Sequence, residues 1–360
     1  MIPHRIVSFI GTRPEAIKMA PVAIAISAHP NMTHRLIATG QQEALFNDSI
    51  SALGIGIDHH LGNHLGGDMD DQLHRLEASI ENILVGNEID MVLVQGDTNT
   101  ALAAARAASK NGFKVGHVEA GLRSHNINRP FPEEANRIEI AKLATAHFAP
   151  SAIAAQNLAD EGILDHVYVT GNPGIDAILS RRIPPDNRPK NSILVTCHRR
   201  ENFGSPLSRI CDALIEIMAI TGQTVVLPVH PNPNVSLPLK SALSGQPLAQ
   251  LIAPLAYGDM ISAIQNSLFV ITDSGGLQEE CAALGVPLLL LREETERPEV
   301  VSNGNAIIVG SDTSLIVSEA LRLMNDPDHY ARMSKPSFPY GSGDAAGQIV
   351  DAISQHFSEI

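Results

Sequence analysis

Short apolar runs alternate with helical patterns along the whole chain. Runs at 6–10, 35–39, 91–94, 114–118, 146–149 and 167–170 have the length of strands. The stretch 180–191, with Pro184, Pro185 and Pro189, reads as an interdomain linker. The pattern then restarts, with runs at 193–196, 224–229, 251–254, 268–272, 287–291 and 306–309. Strand–helix alternation of this kind is the signature of βα units on parallel sheets. Two successive halves predict an α/β protein with two Rossmann-like domains facing a cleft. The first domain is expected over 1–173 and the second over 174–343.

One stretch of the second half stands out. The run Phe269 to Thr272 leads into Asp273-Ser274-Gly275-Gly276-Leu277-Gln278-Glu279-Glu280. It reads as a strand covered on both faces, a glycine turn and a helix. Asp273 and Ser274 are helix-capping types, and paired glycines let backbone N–H groups approach a ligand closely. A helix start suits a phosphate. A well-capped corner with no ligand has the same local sequence, so the rest of the chain has to decide between the two.

Composition narrows the classes. The 360 residues exceed the usual size of one core, which fits two domains. A formal charge of −14 argues against a nucleic-acid or anionic-membrane surface, so an anion site would need locally focused cations. The three cysteines, Cys197, Cys211 and Cys281, form no CxxC pair, which indicates neither zinc nor a disulfide framework. No apolar run is long enough to span a bilayer, and residues 1–11 read as a first strand and not a signal segment. A cytoplasmic protein is expected. The histidines His59, His60, His64 and His74 share no helix face of the HExxH kind, and no metal is expected.

Candidate chemistry collects just beyond the carboxyl ends of the expected strands, where open α/β sheets bind ligands. Arg13 and Lys18 follow the first strand and Asp97 the third; Glu119 and Arg123 follow the next, and Glu133 opens a helix after a proline loop. In the second half His198-Arg199-Arg200-Glu201-Asn202, His230, Ser274 to Gly276 and Arg297 have the same placement. GxGxxG, GxxxxGK[ST] and GxSxG are all absent, which argues against a tightly bound nicotinamide cofactor, a P-loop phosphotransferase and a hydrolase elbow. Several carboxylates, several cations and a phosphate-binding helix start suit an anionic leaving group with proton transfer beside it. A nucleotide sugar meets both requirements. Each carboxylate taken alone has an equally good structural reading, since Glu133 and Glu134 in a first turn also favour the helix dipole.

The ordered motifs Gly11-Thr12-Arg13-Pro14-Glu15, Gly96-Asp97-Thr98, His117-Val118-Glu119-Ala120-Gly121-Leu122-Arg123 and Pro132-Glu133-Glu134-Ala135-Asn136-Arg137 continue into the second half. There His198-Arg199-Arg200-Glu201-Asn202, Asp273 to Glu280 and Glu296-Arg297-Pro298-Glu299 complete the set. Together they resemble the UDP-N-acetylglucosamine 2-epimerase family, in particular its non-hydrolysing bacterial branch. The resemblance implies a glycosyltransferase-B fold, a homodimer, and a last helix (344–360) that crosses back to the N-terminal domain. It implies interconversion of UDP-GlcNAc and UDP-ManNAc with no cofactor, by elimination of UDP to 2-acetamidoglucal and re-addition with inversion at C2.

By the same resemblance Asp97, Glu119 and Glu133 are the acid–base carboxylates, with the assignment of the base left open. His230 supports the leaving diphosphate. Arg13 and Lys18 are substrate contacts from the N-terminal side; Ser274, Gly275 and Gly276 form the phosphate cradle. Glu280 accepts the ribose hydroxyls, and Arg297 is a further contact. Gln41, His198 and Arg199 correspond to a site for a second, activating UDP-GlcNAc. The chain has Gln41-Gln42-Glu43 where the family often has Gln-His-Arg, which leaves only part of that site matched. A hydrolysing outcome, a modified UDP-sugar and a glycosyltransferase remain as alternatives.

Overall fold

The computed structural model describes residues 3–40, 53–62, 68–181, 190 and 192–359. Most of the expected linker lies outside the described residues, as do Gln41 and His64. The chain divides into two α/β units, Met1–Ser180 with Tyr340–Ile360, and Arg181–Pro339.

The first unit is built on seven strands: β1 (His4–Ile10), β2 (Met32–Ala38), β3 (His59–His60), β4 (Met91–Gln95), β5 (Lys114–Val118), β6 (Ala146–Ala149) and β7 (Val167–Val169). They lie in the order β3-β2-β1-β4-β5-β6-β7. The second unit carries β8 (Ser192–Thr196), β9 (Thr224–Pro228), β10 (Ala249–Ile252), β11 (Val270–Thr272), β12 (Leu288–Leu290) and β13 (Ala306–Ile308), in the order β10-β9-β8-β11-β12-β13. Neighbouring strands pair in parallel, for example Gln95 with Val118 and Thr272 with Thr196. In both sheets the strand order reverses beside the unit's first strand, which creates the crevice where such sheets take ligands.

Packing follows from the residue types. The helix Asn99–Lys110 buries six alanines, whose small side chains let it lie close against the sheet. Its neighbours include Val92 and Val94 of β4 and Ile80 and Leu84 of the helix Met69–Leu84. In the second unit Ile193, Val195, Phe269 and Ile271 pack with Leu207, Ile210 and Leu214 of the helix Ser205–Thr221. The two-residue strand β3 has no counterpart in the apolar pattern, because both its histidines are exposed; it exists through backbone pairing with Ile37 and Ala38. Among the described residues no helix is long and apolar enough to cross a membrane.

The chain leaves the first unit at Ser180, seven residues later than the sequence reading placed it. The helix Pro173–Leu179 packs on the helix Arg13–Ala28 and belongs with it. The return comes at Tyr340, which is fully buried and accepts a hydrogen bond from the Asn172 amide at 2.6 Å. Gly171 and Gly341 touch there, so a Cβ on Gly171 would lie 3.0 Å from the Gly341 Cα.

The last helix, Ala345–Ser358, is anchored at its start by a carboxylate from elsewhere in the chain. Asp176 accepts from the amides of Ala345 and Ala346 at 3.1 and 2.8 Å. Those amides have no acceptor within their own helix. Asp176→Ala is therefore expected to cost about 1–2 kcal/mol of stability, the range of a lost helix cap, read as a lowered urea midpoint with an unchanged slope. An unchanged midpoint would show that the contact contributes nothing.

Candidate active site

In the first unit the polar groups lie at the carboxyl ends of β1, β4 and β5. Gly11, directly after β1, has to be glycine because a Cβ there would fall 2.1 Å from the Thr100 Oγ1. The chain then enters the helix Arg13–Ala28 through a capping box: Glu15 accepts from the Thr12 amide at 2.7 Å and the Thr12 hydroxyl at 2.8 Å. Glu15 also takes the Thr98 hydroxyl at 2.6 Å, which ties the loop after β4 to the loop after β1. Burial raises the Glu15 carboxyl, and these hydrogen bonds oppose it. Lys18 lies one turn further along that helix.

Asp97 sits two residues beyond β4. Its carboxylate pairs with Arg137 at 2.5 Å, and its carbonyl accepts from the Asn136 amide side chain at 2.8 Å. Arg137 is shared with Glu134 at 2.9 Å, and Glu134 in turn accepts from the Ser124 and His125 amides at 3.0 and 3.2 Å. The helix Glu133–Leu143 is thereby locked to Asp97, with half-buried Glu133 as its first residue. His117 hydrogen-bonds the Gly96 carbonyl at 2.8 Å, and burial lowers its imidazole to about 4, so it is neutral at ordinary pH.

Glu119 is the most constrained of these groups. It is 6% exposed and has φ +68°, in the left-handed region that a non-glycine residue rarely adopts. The side chains of Lys18 and Gln95 both donate to its Oε2. Lys18, expected as a substrate contact, is therefore engaged by this carboxylate. Arg123 goes elsewhere: its guanidinium is buried against Glu161 at 2.6 and 2.8 Å, a structural pair. Arg13 is half-buried at the start of its helix.

In the second unit Asp273 follows β11 and is wholly buried. The sequence reading made it a helix cap, but its carboxylate turns to the loop after β8. It accepts from the His198 amide at 2.9 Å, the Arg199 amide at 2.9 Å and the Asn202 side chain at 3.0 Å, with the His198 Nδ1 at 3.1 Å. Burial pushes this carboxyl up, yet the hydrogen bonds from His198, Arg199 and Asn202 outweigh it and hold the group well below the usual carboxylate range. Backbone donors outcompete capping because two successive amides converge on one acceptor.

The helix Gly275–Leu284 begins immediately after, with Ser274 at its N-cap position and no side-chain cap bond. A Cβ on Gly275 would meet the Glu296 Oε1 at 2.9 Å and the Arg297 Nη1 at 3.0 Å. A Cβ on Gly276 would meet nothing within 4 Å, so the first turn is open at that position. Arg297 is buried and pairs with Glu279 and Glu296, each at 2.5 Å, while Arg292 holds the other oxygen of Glu296 at 2.7 Å. Arg297 thus lies beside the helix start within an ionic cluster of two guanidiniums and two carboxylates. Glu280 is half-buried on the same helix. His230 stacks on His198 with ring centroids 5.9 Å apart, and burial together with the His198 charge lowers its imidazole.

The structure thus gathers Lys18, Asp97 and Glu119 at the strand ends of the first unit. In the second it gathers His198, Arg199, His230 and the Ser274–Gly276 turn. Sequence reasoning missed Gln95, Arg137 and Glu134 as site-builders. Gln95 closes an apolar strand, and a lone polar residue there is the one signal that could have pointed to it.

The family model of the UDP-N-acetylglucosamine 2-epimerase matches residues 24–354. A UDP-N-acetylglucosamine 2-epimerase of Salmonella typhimurium is 38% identical, covering 98% of this chain and 99% of the relative. One from Campylobacter jejuni is 40% identical, with 97% of each chain covered. The crystal structure of the Neisseria meningitidis UDP-GlcNAc 2-epimerase bound to UDP-GlcNAc superposes with a TM-score of 0.94 at 35% identity, over 98% of this chain and 100% of that one.

Proposed function

The chain belongs to the UDP-N-acetylglucosamine 2-epimerase family, and from that premise we propose that it interconverts UDP-GlcNAc and UDP-ManNAc by elimination and re-addition of UDP. The observation that carries the proposal is the pair of carboxylates at the ends of adjacent strands, Asp97 after β4 and the tightly held Glu119 after β5.

The C2 proton of this sugar is not beside a carbonyl, so simple deprotonation would be prohibitive. Breaking the C1–O bond to UDP as the C2 proton passes to a carboxylate gives a C1=C2 double bond, the 2-acetamidoglucal. Returning UDP to C1 while a proton arrives at C2 from the other face inverts that centre. The reaction needs groups on both faces of the sugar, and Asp97, Glu119 and Glu133 are the carboxylates assigned to it. Arg13 is assigned a substrate contact on the same side, with Lys18 supplying charge through Glu119.

The second unit is assigned the nucleotide. The diphosphate would meet the first-turn amides at Ser274, Gly275 and Gly276, where the helix dipole favours negative charge, and Arg297 is assigned a further substrate contact. A diphosphate beside His230 would favour its imidazolium form and so support the leaving group. Glu280 is assigned the ribose hydroxyls. His198 and Arg199 are further assigned to an activating second UDP-GlcNAc; a sigmoidal rate dependence on UDP-GlcNAc would support that assignment. Gln41, expected to share that role, lies outside the described residues. A homodimer is expected, readable from light scattering.

The deciding experiment is incubation with UDP-GlcNAc alone in deuterated water, followed by NMR. The expected result is deuterium at C2 with UDP-ManNAc accumulating. Free ManNAc with UDP would mean that water captures the intermediate. An inert UDP-GlcNAc would redirect the assignment to a modified UDP-sugar or to transfer onto an acceptor.

A further inference from the structure

We propose that Gln95 is a positioning residue for the reaction, holding the Glu119 carboxylate in place through its proton cycle. This rests on the reading of Glu119 as an acid–base group.

Gln95 is the last residue of β4, buried behind the apolar run Met91–Val94. An amide in such a place is costly unless it is hydrogen-bonded, and nothing in the packing of a parallel strand calls for one. Its Nε2 donates to the Glu119 Oε2, the oxygen that Lys18 also contacts. Strand register explains the meeting. Gln95 pairs with Val118, the residue before Glu119, and the left-handed backbone at Glu119 ends β5 there. The carboxylate therefore meets the end of the neighbouring strand.

The two donors are not equivalent. Lys18 is a point charge on a flexible stem, and its attraction falls when Glu119 takes up a proton. The carboxamide is planar and does not titrate, so its N–H holds Oε2 in both protonation states. Lys18 supplies charge and Gln95 supplies direction. A carboxylate held in a rarely populated backbone conformation needs such an over-determined setting to persist.

The test compares Gln95→Met, which keeps the length and removes the donor, with Glu119→Gln. Gln95→Met is expected to lower kcat by about tenfold to a hundredfold through misalignment of the carboxylate. The KM for UDP-GlcNAc should stay within about twofold, and the melting temperature should hold. Parent-like kcat in Gln95→Met beside a crippled Glu119→Gln overturns the positioning role, as does a fall in kcat matched by a fall in melting temperature or by a rise in KM beyond about twofold. A parent-like Glu119→Gln overturns the underlying reading instead. If Gln95→Met does not fold, Gln95→Asn decides the matter by the same readouts, because it keeps a buried amide and withdraws the donor by one methylene.

Discussion

Glu119→Gln is expected to lower turnover by about 10²–10⁴-fold, the usual worth of a positioned acid or base. The fold should survive, because glutamine keeps the shape and one acceptor oxygen for Lys18 and Gln95. Asp97→Asn and Glu133→Gln are expected to fall in the same range. In Asp97→Asn the buried Arg137 keeps its second partner, Glu134 at 2.9 Å, so the helix Glu133–Leu143 stays in place. Turnover measured by coupled assay, with far-UV circular dichroism as the control for folding, checks all three. Near-normal rates throughout would remove the catalytic assignment. A large fall in only one would leave the other two carboxylates structural.

The largest effect on stability is expected at Asp273. Its carboxylate is the acceptor for two part-buried backbone amides and the buried Asn202 side chain. Asp273→Ala leaves both amides without it, while the Asn202 side chain keeps the Leu291 carbonyl at 3.1 Å; at about 1–3 kcal/mol for each group left unsatisfied, a loss of about 2 kcal/mol or more is expected. Asp273→Asn keeps one acceptor oxygen and should lose less. The pH dependence has a definite sign. A carboxyl held below its unfolded value stabilises the fold at pH above that value, about 3.9 for aspartate, and the contribution is lost as the pH falls towards the folded value. The stability gap between parent and Asp273→Asn should therefore narrow below about pH 4, as measured by urea titrations across the acid range. A constant gap would show that the charge at Asp273 is not what holds the loop.

Much of this architecture could be read directly from the chain. Buried parallel strands are covered on both faces, so β4, β8 and β11 appear as unbroken apolar runs. The strand β3 could not be read, because His59 and His60 bury nothing. Asp97 and Glu119 could be placed at strand ends from the chain, because each lies within two residues of a strand that reads as a largely apolar run. The stretch after β5 also supplied Arg123, whose guanidinium is consumed by Glu161. Position after a strand gives the address of a side chain but not its direction.

The rest depended on contacts that exist only after folding. Gln95 and Glu119 are 24 residues apart and meet through strand register. Asp273 and His198 are 75 apart, and a capping-type residue gave no sign that it would serve another loop. Nothing in a glutamate marks a left-handed backbone, which glycine or asparagine would have signalled.

The anchoring of the last helix by Asp176 has a consequence for how the protein comes into being. The first unit is assembled from residues at both extremes of the chain, with the whole of the second unit encoded between them. During synthesis the helices Arg13–Ala28 and Pro173–Leu179 emerge long before Ala345–Ser358, the element that packs on them. The second unit is contiguous and can fold as it leaves the ribosome, while the first waits with an apolar face uncovered until the helix Ala345–Ser358 has emerged. Released chains ending at Pro339 should therefore show a protease-resistant second unit beside an incompletely protected first.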